Sequence, residues 1–429
     1  MYKLKFNLII LSIFLVYTQG LWERFLLVGD FIKQAIDAIL LLAVLINFKY
    51  SFKVPGSKIF LWFLLTIFVV SIGNSTNFID TFLYIRYILF AYLIFHQFYI
   101  TRLTVRQFKI ILKIIYFSVI IQGIGAAFNL FVLGIRVEGY VGFMSSLGGT
   151  TATSLPLLVI SLVVLFFLLN KTLTRKQLVS IVMLFASACL VSFSSGKRGI
   201  YLLVPLIILI IIGLIGKDIR FKKLSQIVIG VICVAPIFFY GISNSRGFSY
   251  NLSGSESYAQ IASVSRDYTE YYETATDQFG NSVGRSNSTL NIVDNSLKNN
   301  ENFFFGHGFG MSKNKSFLKT INVKYGIVGF TNTLVSGGWI FTVLFVVFML
   351  RTILKTNYKI DNKSRLILKT IAINFMLIHL VYSPDYFVSM KVTFIVILLL
   401  AIVKSPLYLD YKQQLFKSLK LINSQTHNL

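Results

Sequence analysis

Residues 241–326 read GISNSRGFSYNLSGSESYAQIASVSRDYTEYYETATDQFGNSVGRSNSTLNIVDNSLKNNENFFFGHGFGMSKNKSFLKTINVKYG, the one long interval of the chain without an apolar run able to cross a bilayer. It is rich in Arg, Asn, Ser, Gly and Tyr. On either side the chain is greasy: 55% of the 429 residues are hydrophobic, 15% are aromatic and the mean hydropathy is +0.74. That composition excludes a soluble globular domain. A single polar interval of roughly 85 residues between hydrophobic stretches points to work on a substrate at the membrane surface.

A membrane-crossing helix needs about 20 mostly apolar residues. Outward from the polar interval, about twelve stretches qualify: 6–22, 31–48, 59–73, 79–98, 110–134, 147–169, 178–194, 199–216, 225–242, 328–350, 366–382 and 387–403. The expected fold is an all-α integral membrane protein. Nine spans occupy 1–240, a large extracytoplasmic loop with short helices occupies 241–327, and three spans with a cytoplasmic tail occupy 328–429. The first span follows Lys3 and Lys5; because further spans follow at once, it reads as a retained signal anchor rather than a cleaved leader.

The 41 Lys and Arg against 16 Asp and Glu leave a formal charge of +25. Spread over a soluble surface, such an excess would suggest nucleic acid. Its placement argues for topology instead. Lys49, Lys53 and Lys58 fall in one loop, Arg102, Arg106, Lys109 and Lys113 in an alternate one, and Lys171, Arg175 and Lys176 in the next of that set. Lys217, Arg220, Lys222, Lys223 and the run from Arg351 to Lys369 continue the alternation. The positive-inside rule then puts both termini in the cytoplasm and the polar loop outside. The loop itself carries eight Lys/Arg and seven Asp/Glu, so it is no polyanion-seeking tail. Cys189 and Cys233 both fall inside predicted spans, and His96, His307, His379 and His427 are scattered. No disulfide framework or metal-ligand spacing emerges, and no metal is expected.

Several polar residues ask for a reason. Arg136 in GIRVEGYVGF, Arg198 in FSSGKRG and Arg285 in VGRSNSTLN all fall on the outer side, where basic residues are scarce. Each is either a headgroup anchor or a ligand-binding group. Three of them, each among Gly and small polar residues, favour binding. A guanidinium holds phosphate oxygens through two hydrogen bonds and stays charged, so converging arginines suit a departing pyrophosphate. FSSGKRG is no ATP-binding loop: it lacks the first glycine of GxxxxGK[ST], has Arg where Ser or Thr should follow, and faces outward.

Beyond Arg285, Leu290, Ile292, Val293 and Leu297 recur at helical spacing and predict an amphipathic helix at the interface. It leads to ENFFFGHGFG, where Gly306, Gly308 and Gly310 permit close backbone approach. His307 in that turn is a turn residue or a base. Glu138 and Asp385 are the outer carboxylates nearest to spans; each can accept a proton from a hydroxyl or pair with a neighbouring arginine. Arg86, within the fourth predicted span, needs a cavity or a polar partner.

In order along the chain, these pieces resemble the O-antigen polymerase/ligase superfamily of bacterial membrane glycosyltransferases. RVEGYVGFMSSLGG matches an Arg-x-x-Gly-[FY] stretch ahead of a span, and SGKRG a Ser-x-x-Arg-Gly turn. Arg285 followed by FGHGFG matches a loop arginine with a later G-x-G-x-G-like turn. FTNTLVSGGWIF, with Asn332 and Leu334, matches an Asn-x-x-Leu motif leading into a span. The likeness covers roughly residues 80–345.

The resemblance implies a fold like that of the GT-C membrane glycosyltransferases and a site on the outer face of the bacterial cytoplasmic membrane. Its substrates would be undecaprenyl-pyrophosphate-linked glycans, as both donor and acceptor. Arg136, Arg198, Arg285 and Glu138 would carry the chemistry. Asn332, Arg86, His307 and Asp385 would bind substrate. No cofactor is expected, because the lipid-linked donor is already activated. Membrane lipids, a chain-length regulator and a flippase are the expected partners, with no nucleic acid. Thr331 stands where ligases of the superfamily carry the histidine of His-Asn-x-x-Leu, which favours a repeat-unit polymerase over a ligase. A flippase or transporter for the same lipids is the rival from another class. Such proteins tend to show internal repeats with sites near the midplane, and this chain shows none between its halves.

Overall fold

A computed structural model describes residues 2–26, 28–46, 57–74, 105–134, 142–144, 149–170, 172–195, 199–215, 281, 284–298, 304–309, 311, 314–323, 327–354 and 362–376, with a few isolated positions besides. These residues form α1 (Tyr2–Phe25), α2 (Gly29–Ile46), α3 (Ser57–Gly73), α4 (Val105–Phe131), α5 (Gly149–Leu169) and α6 (Arg175–Ser195). They continue with α7 (Gly199–Ile215), α8 (Arg285–Lys298), α9 (Lys315–Thr320), α10 (Gly329–Leu354) and α11 (Asn362–Met376). There is no β-strand among the described residues. Four helices contain stretches long and apolar enough to cross a membrane: Phe6–Glu23, Lys109–Phe131, Arg175–Ser195 and Gly329–Val347. Ser57–Gly73, Ala152–Leu168 and Leu203–Gly213 are shorter apolar helices. Helices therefore stand over nine of the expected stretches, α1 to α7, α10 and α11, while 79–98, 225–242 and 387–403 lie almost wholly outside the described residues.

The helices pack as a chain of neighbours. α1 pairs with α2 and touches α4; α4 lies on α6, and α6 on α5. α5 meets α7 and α11, and α11 passes contact on to α10, which packs on α3. One apolar core runs through all of these, with Phe63, Phe341 and Phe345 among its largest fully buried side chains. Buried hydroxyls within the helices bond back to their own backbone: Ser12 to Leu8, Ser71 to Ile67, Ser192 to Ala188 and Thr370 to Leu366, each to a carbonyl four residues earlier. Where water is absent, that is the nearest way to satisfy a hydroxyl.

The α4–α6 contact is set by small residues. A Cβ added at Gly123 would lie 2.6 Å from Cα of Ser187, so the two backbones meet without an intervening side chain, as membrane helices do through small residues.

Candidate functional site

The described part of the polar loop folds onto the first half of α10. Ile292 of α8, Leu318 of α9, Ile321 and Val323 just beyond it, and Leu334 and Val335 of α10 form a second, smaller core apart from the main one. α9 is opened by Asn314, whose side chain accepts from the N–H groups of Ser316 and Phe317. The chain leaves it through Asn322 in the left-handed region (φ 55°). Asn291 of α8 donates to the carbonyl of Asn322 at 3.4 Å, tying the two loop helices together.

Arg285 is the first residue of α8, where Gly284 supplies the carbonyl for the Ser288 N–H (3.0 Å). The face turned to the protein is Ser288, Ile292 and Ser296, all buried at a four-residue spacing. Leu290 and Leu297 are exposed. The single apolar face expected for this helix is thus divided in two. At about 100° per residue, Leu290 and Leu297 lie about 20° apart, whereas Ile292 is about 200° from Leu290.

The centre of the arrangement is a break in α10. Gly338 adopts φ 70°, ψ −170° inside the helix, a conformation that essentially only glycine holds without strain. A break orphans the carbonyls just before it, and in an apolar setting those groups need donors. The Gly-His-Gly turn supplies them. The N–H of His307 donates to the carbonyl of Val335 at 2.8 Å, and that of Gly308 to the carbonyl of Ser336 at 3.0 Å. Gly306 (φ 76°) comes so close that an added Cβ would sit 2.4 Å from the Gly338 nitrogen and 2.6 Å from the Gly337 carbonyl carbon. Below the break, Thr342 donates to the carbonyl of Gly338 at 2.8 Å. Phe309 follows the turn into the main core, fully buried edge-on to Phe341, which stacks on Phe63.

Backbone therefore grips backbone, and an aromatic plug locks the grip.

His307 has two attachments. Its main chain belongs to the joint, and its ring lies 4.6 Å from that of Phe317 on α9. Burial pushes the imidazole below its ordinary value of 6.5, so the ring is neutral near pH 7. Asn332 is buried nearly two turns before the break, with its N–H on the carbonyl of Val328 (2.8 Å). Ser336, four residues further on the same face, is fully buried, and its Oγ has no hydrogen-bond partner among the described residues. Thr331 closes the start of α10. Its Oγ1 accepts from the Val328 N–H (3.0 Å) and donates to the Val328 carbonyl (3.1 Å), as a side chain in the first turn does when it reaches back to the cap.

Three expected site residues, Arg285, His307 and Asn332, thus sit on elements joined around the first half of α10. Arg136, Glu138, Arg198, Arg86 and Asp385 lie outside the described residues. Close to the first two in sequence, the short turn 142–144 is held against α4. Gln122 accepts from the Phe143 N–H (2.9 Å) and donates to the carbonyl of Tyr17 (3.2 Å), while Asn129 donates to the carbonyl of Gly142 (3.3 Å). These buried carboxamides were not singled out from the sequence; their type, inside a predicted span, was the available signal. The Ser336-Gly337-Gly338 run inside the predicted span 328–350 was likewise missed, although adjacent glycines in a helix are a familiar cause of kinks. No protein-family model matches this chain, and no curated protein matches it.

Proposed function

We propose that this protein is a membrane glycosyltransferase that joins lipid-linked oligosaccharide repeat units into a surface polysaccharide. The supporting observation is the joint itself. A loop bearing Arg285 and His307 is bound through its backbone to a broken helix bearing Asn332, so that a guanidinium, an imidazole and a carboxamide are carried on joined elements. A substrate with a sugar, a pyrophosphate and a polyprenyl tail asks in turn for hydrogen-bonding, charged and apolar contacts.

In the proposed reaction, a hydroxyl oxygen of the acceptor repeat unit forms a bond to the anomeric carbon of the donor glycan. The bond from that carbon to the pyrophosphate oxygen breaks, and its electron pair leaves with undecaprenyl pyrophosphate. Arg285, with Arg136 and Arg198, neutralises the growing charge on the leaving group. Glu138, or Asp385 in its place, accepts the hydroxyl proton. Asn332 orients a sugar or phosphate oxygen, and Arg86 serves a polar contact within the bundle. The remaining spans, to about twelve, enclose the lipid tail in a GT-C-like arrangement with the site on the outer face.

Transfer of finished glycan to a lipid or protein acceptor is the nearest alternative. The hydrogen bonds of Thr331 argue against it, since that side chain is used to close a helix. Gene deletion with gel analysis of surface polysaccharide tests the proposal. Loss of a polymerase leaves single repeat units on their final acceptor, loss of a ligase leaves long chains stranded on undecaprenyl pyrophosphate, and an unchanged ladder ends the proposal. Purified protein that lengthens glycans in detergent would exclude a flippase.

A further inference from the structure

The polar loop carries two pairs of apolar side chains that the protein leaves uncovered. Leu290 and Leu297 of α8 are 64% and 60% exposed, and Phe304 and Phe305 just before the Gly-His-Gly turn are 50% and 53% exposed. Isolated exposed leucines need no explanation. Here, however, both pairs are fixed at one level of the same helix. α8 is held through Ile292, which packs with Leu334 and Val335. Phe305 adjoins Gly306, which is pressed against Gly337 and Gly338. The candidate span begins at Gly329, so at 1.5 Å per residue these attachment points lie about 8–13 Å along it. That interval overlaps the depth, about 5–10 Å into the boundary between headgroups and acyl chains, at which interfacial helices bury their apolar face.

We infer that Leu290, Leu297, Phe304 and Phe305 form a lipid-facing surface, which seats the polar loop in the leaflet at the Gly329 end of α10. Three observations single out lipid as the occupant. The helix that holds it also exposes apolar side chains further along the same candidate span, where Val343 and Val347 are 57% and 44% exposed. Its polar fringe suits a headgroup zone: Lys298 pairs with Asp294 beside Leu297, and Lys315 and Lys319 stand exposed on α9. The opposite face of α8 is already spent on the protein through Ser288, Ile292 and Ser296. The inference is independent of the reaction proposed above.

Fluorescence quenching in vesicles tests it. Cys189 and Cys233 are replaced by Ala in the full chain, and single cysteines are placed by Leu290→Cys, Leu297→Cys, Phe305→Cys and, as a control at an exposed polar position of α9, Ser316→Cys. Each variant is checked for an unfolding temperature equal to that of its parent, then labelled with an environment-sensitive dye. Reconstitution is in phosphatidylglycerol–phosphatidylethanolamine vesicles without polyprenyl lipid. Acyl chains carrying a nitroxide near the headgroup are expected to quench the probes at 290, 297 and 305 several-fold more than aqueous iodide does, with the reverse order at 316. Iodide quenching at 290 and 297 equal to that at 316 would overturn the inference. So would protection from both quenchers, which would mean that protein, from this chain or a second copy, covers the surface.

Discussion

Two glycine-dependent contacts in this protein solve the same steric problem in opposite ways. At Gly123, α4 comes within backbone distance of Ser187 on α6, and both helices stay intact. At Gly337 and Gly338, α10 breaks and its freed carbonyls go to the N–H groups of His307 and Gly308. An intact pair of helices exchanges only van der Waals contact, because every interior N–H and C=O is already used within its own helix. A broken helix has backbone valence to offer, and only a polar loop can answer it. Thus the first kind of contact builds a bundle, while the second attaches a polar loop to it.

The largest effect should come from the joint. Gly306→Val adds a Cβ at 2.4 Å from a backbone nitrogen at a residue with φ 76°. Left-handed strain and overpacking together should cost about 2–5 kcal/mol, read as a lower unfolding temperature in detergent and, under the proposed reaction, a lost glycan ladder. If that variant fails to accumulate, Gly306→Ala meets the same backbone atoms with less bulk. Gly123→Ala should be milder, about 1–3 kcal/mol from overpacking alone, and it should leave the ladder unchanged wherever the protein accumulates. Equal loss of ladder at matched abundance would erase the distinction between the two contacts.

Smaller effects sharpen the comparison at the two ends of the first half of α10. Thr331→Val should cost about 1 kcal/mol by removing the hydrogen bond to the Val328 N–H, and Thr331→Ser should restore it. If that position instead serves the reaction as a proton acceptor or phosphate ligand, Thr331→Val abolishes glycan synthesis without changing the unfolding temperature. Near the break, the lowered pKa of His307 has a definite sign. The unfolded chain takes up a proton before the folded one does, so this residue's share of stability is whole above pH 6.5 and is lost as the pH falls below it. The loss of stability between pH 7.5 and 5.5, read from unfolding temperatures, should be larger in the wild type than in His307→Gln, by at most about 1.4 kcal/mol.

The bundle was legible because an apolar run of span length has few other uses. The expected stretch 110–134 became α4 (Val105–Phe131), and 178–194 became α6 (Arg175–Ser195). The joint was only half legible. Gly306 and Gly308 advertised a close approach, but a glycine pattern does not name the backbone that comes close. Ser336, Gly337 and Gly338 were absorbed into a span, since small residues serve an intact helix contact and a broken helix equally well. Periodicity also merged two faces of α8, placing Ile292 with Leu290 and Leu297, because four apolar residues at roughly helical spacing do not declare which of two neighbours each will meet.

Hydrogen exchange at the amides of His307 and Gly308 measures the grip of loop on helix most directly. The account predicts that both exchange as slowly as the interior of α10, in wild type and in Arg285→Ala alike, and that Gly306→Val releases them. Exchange of both amides in the wild type at the rate of an unstructured peptide would contradict it.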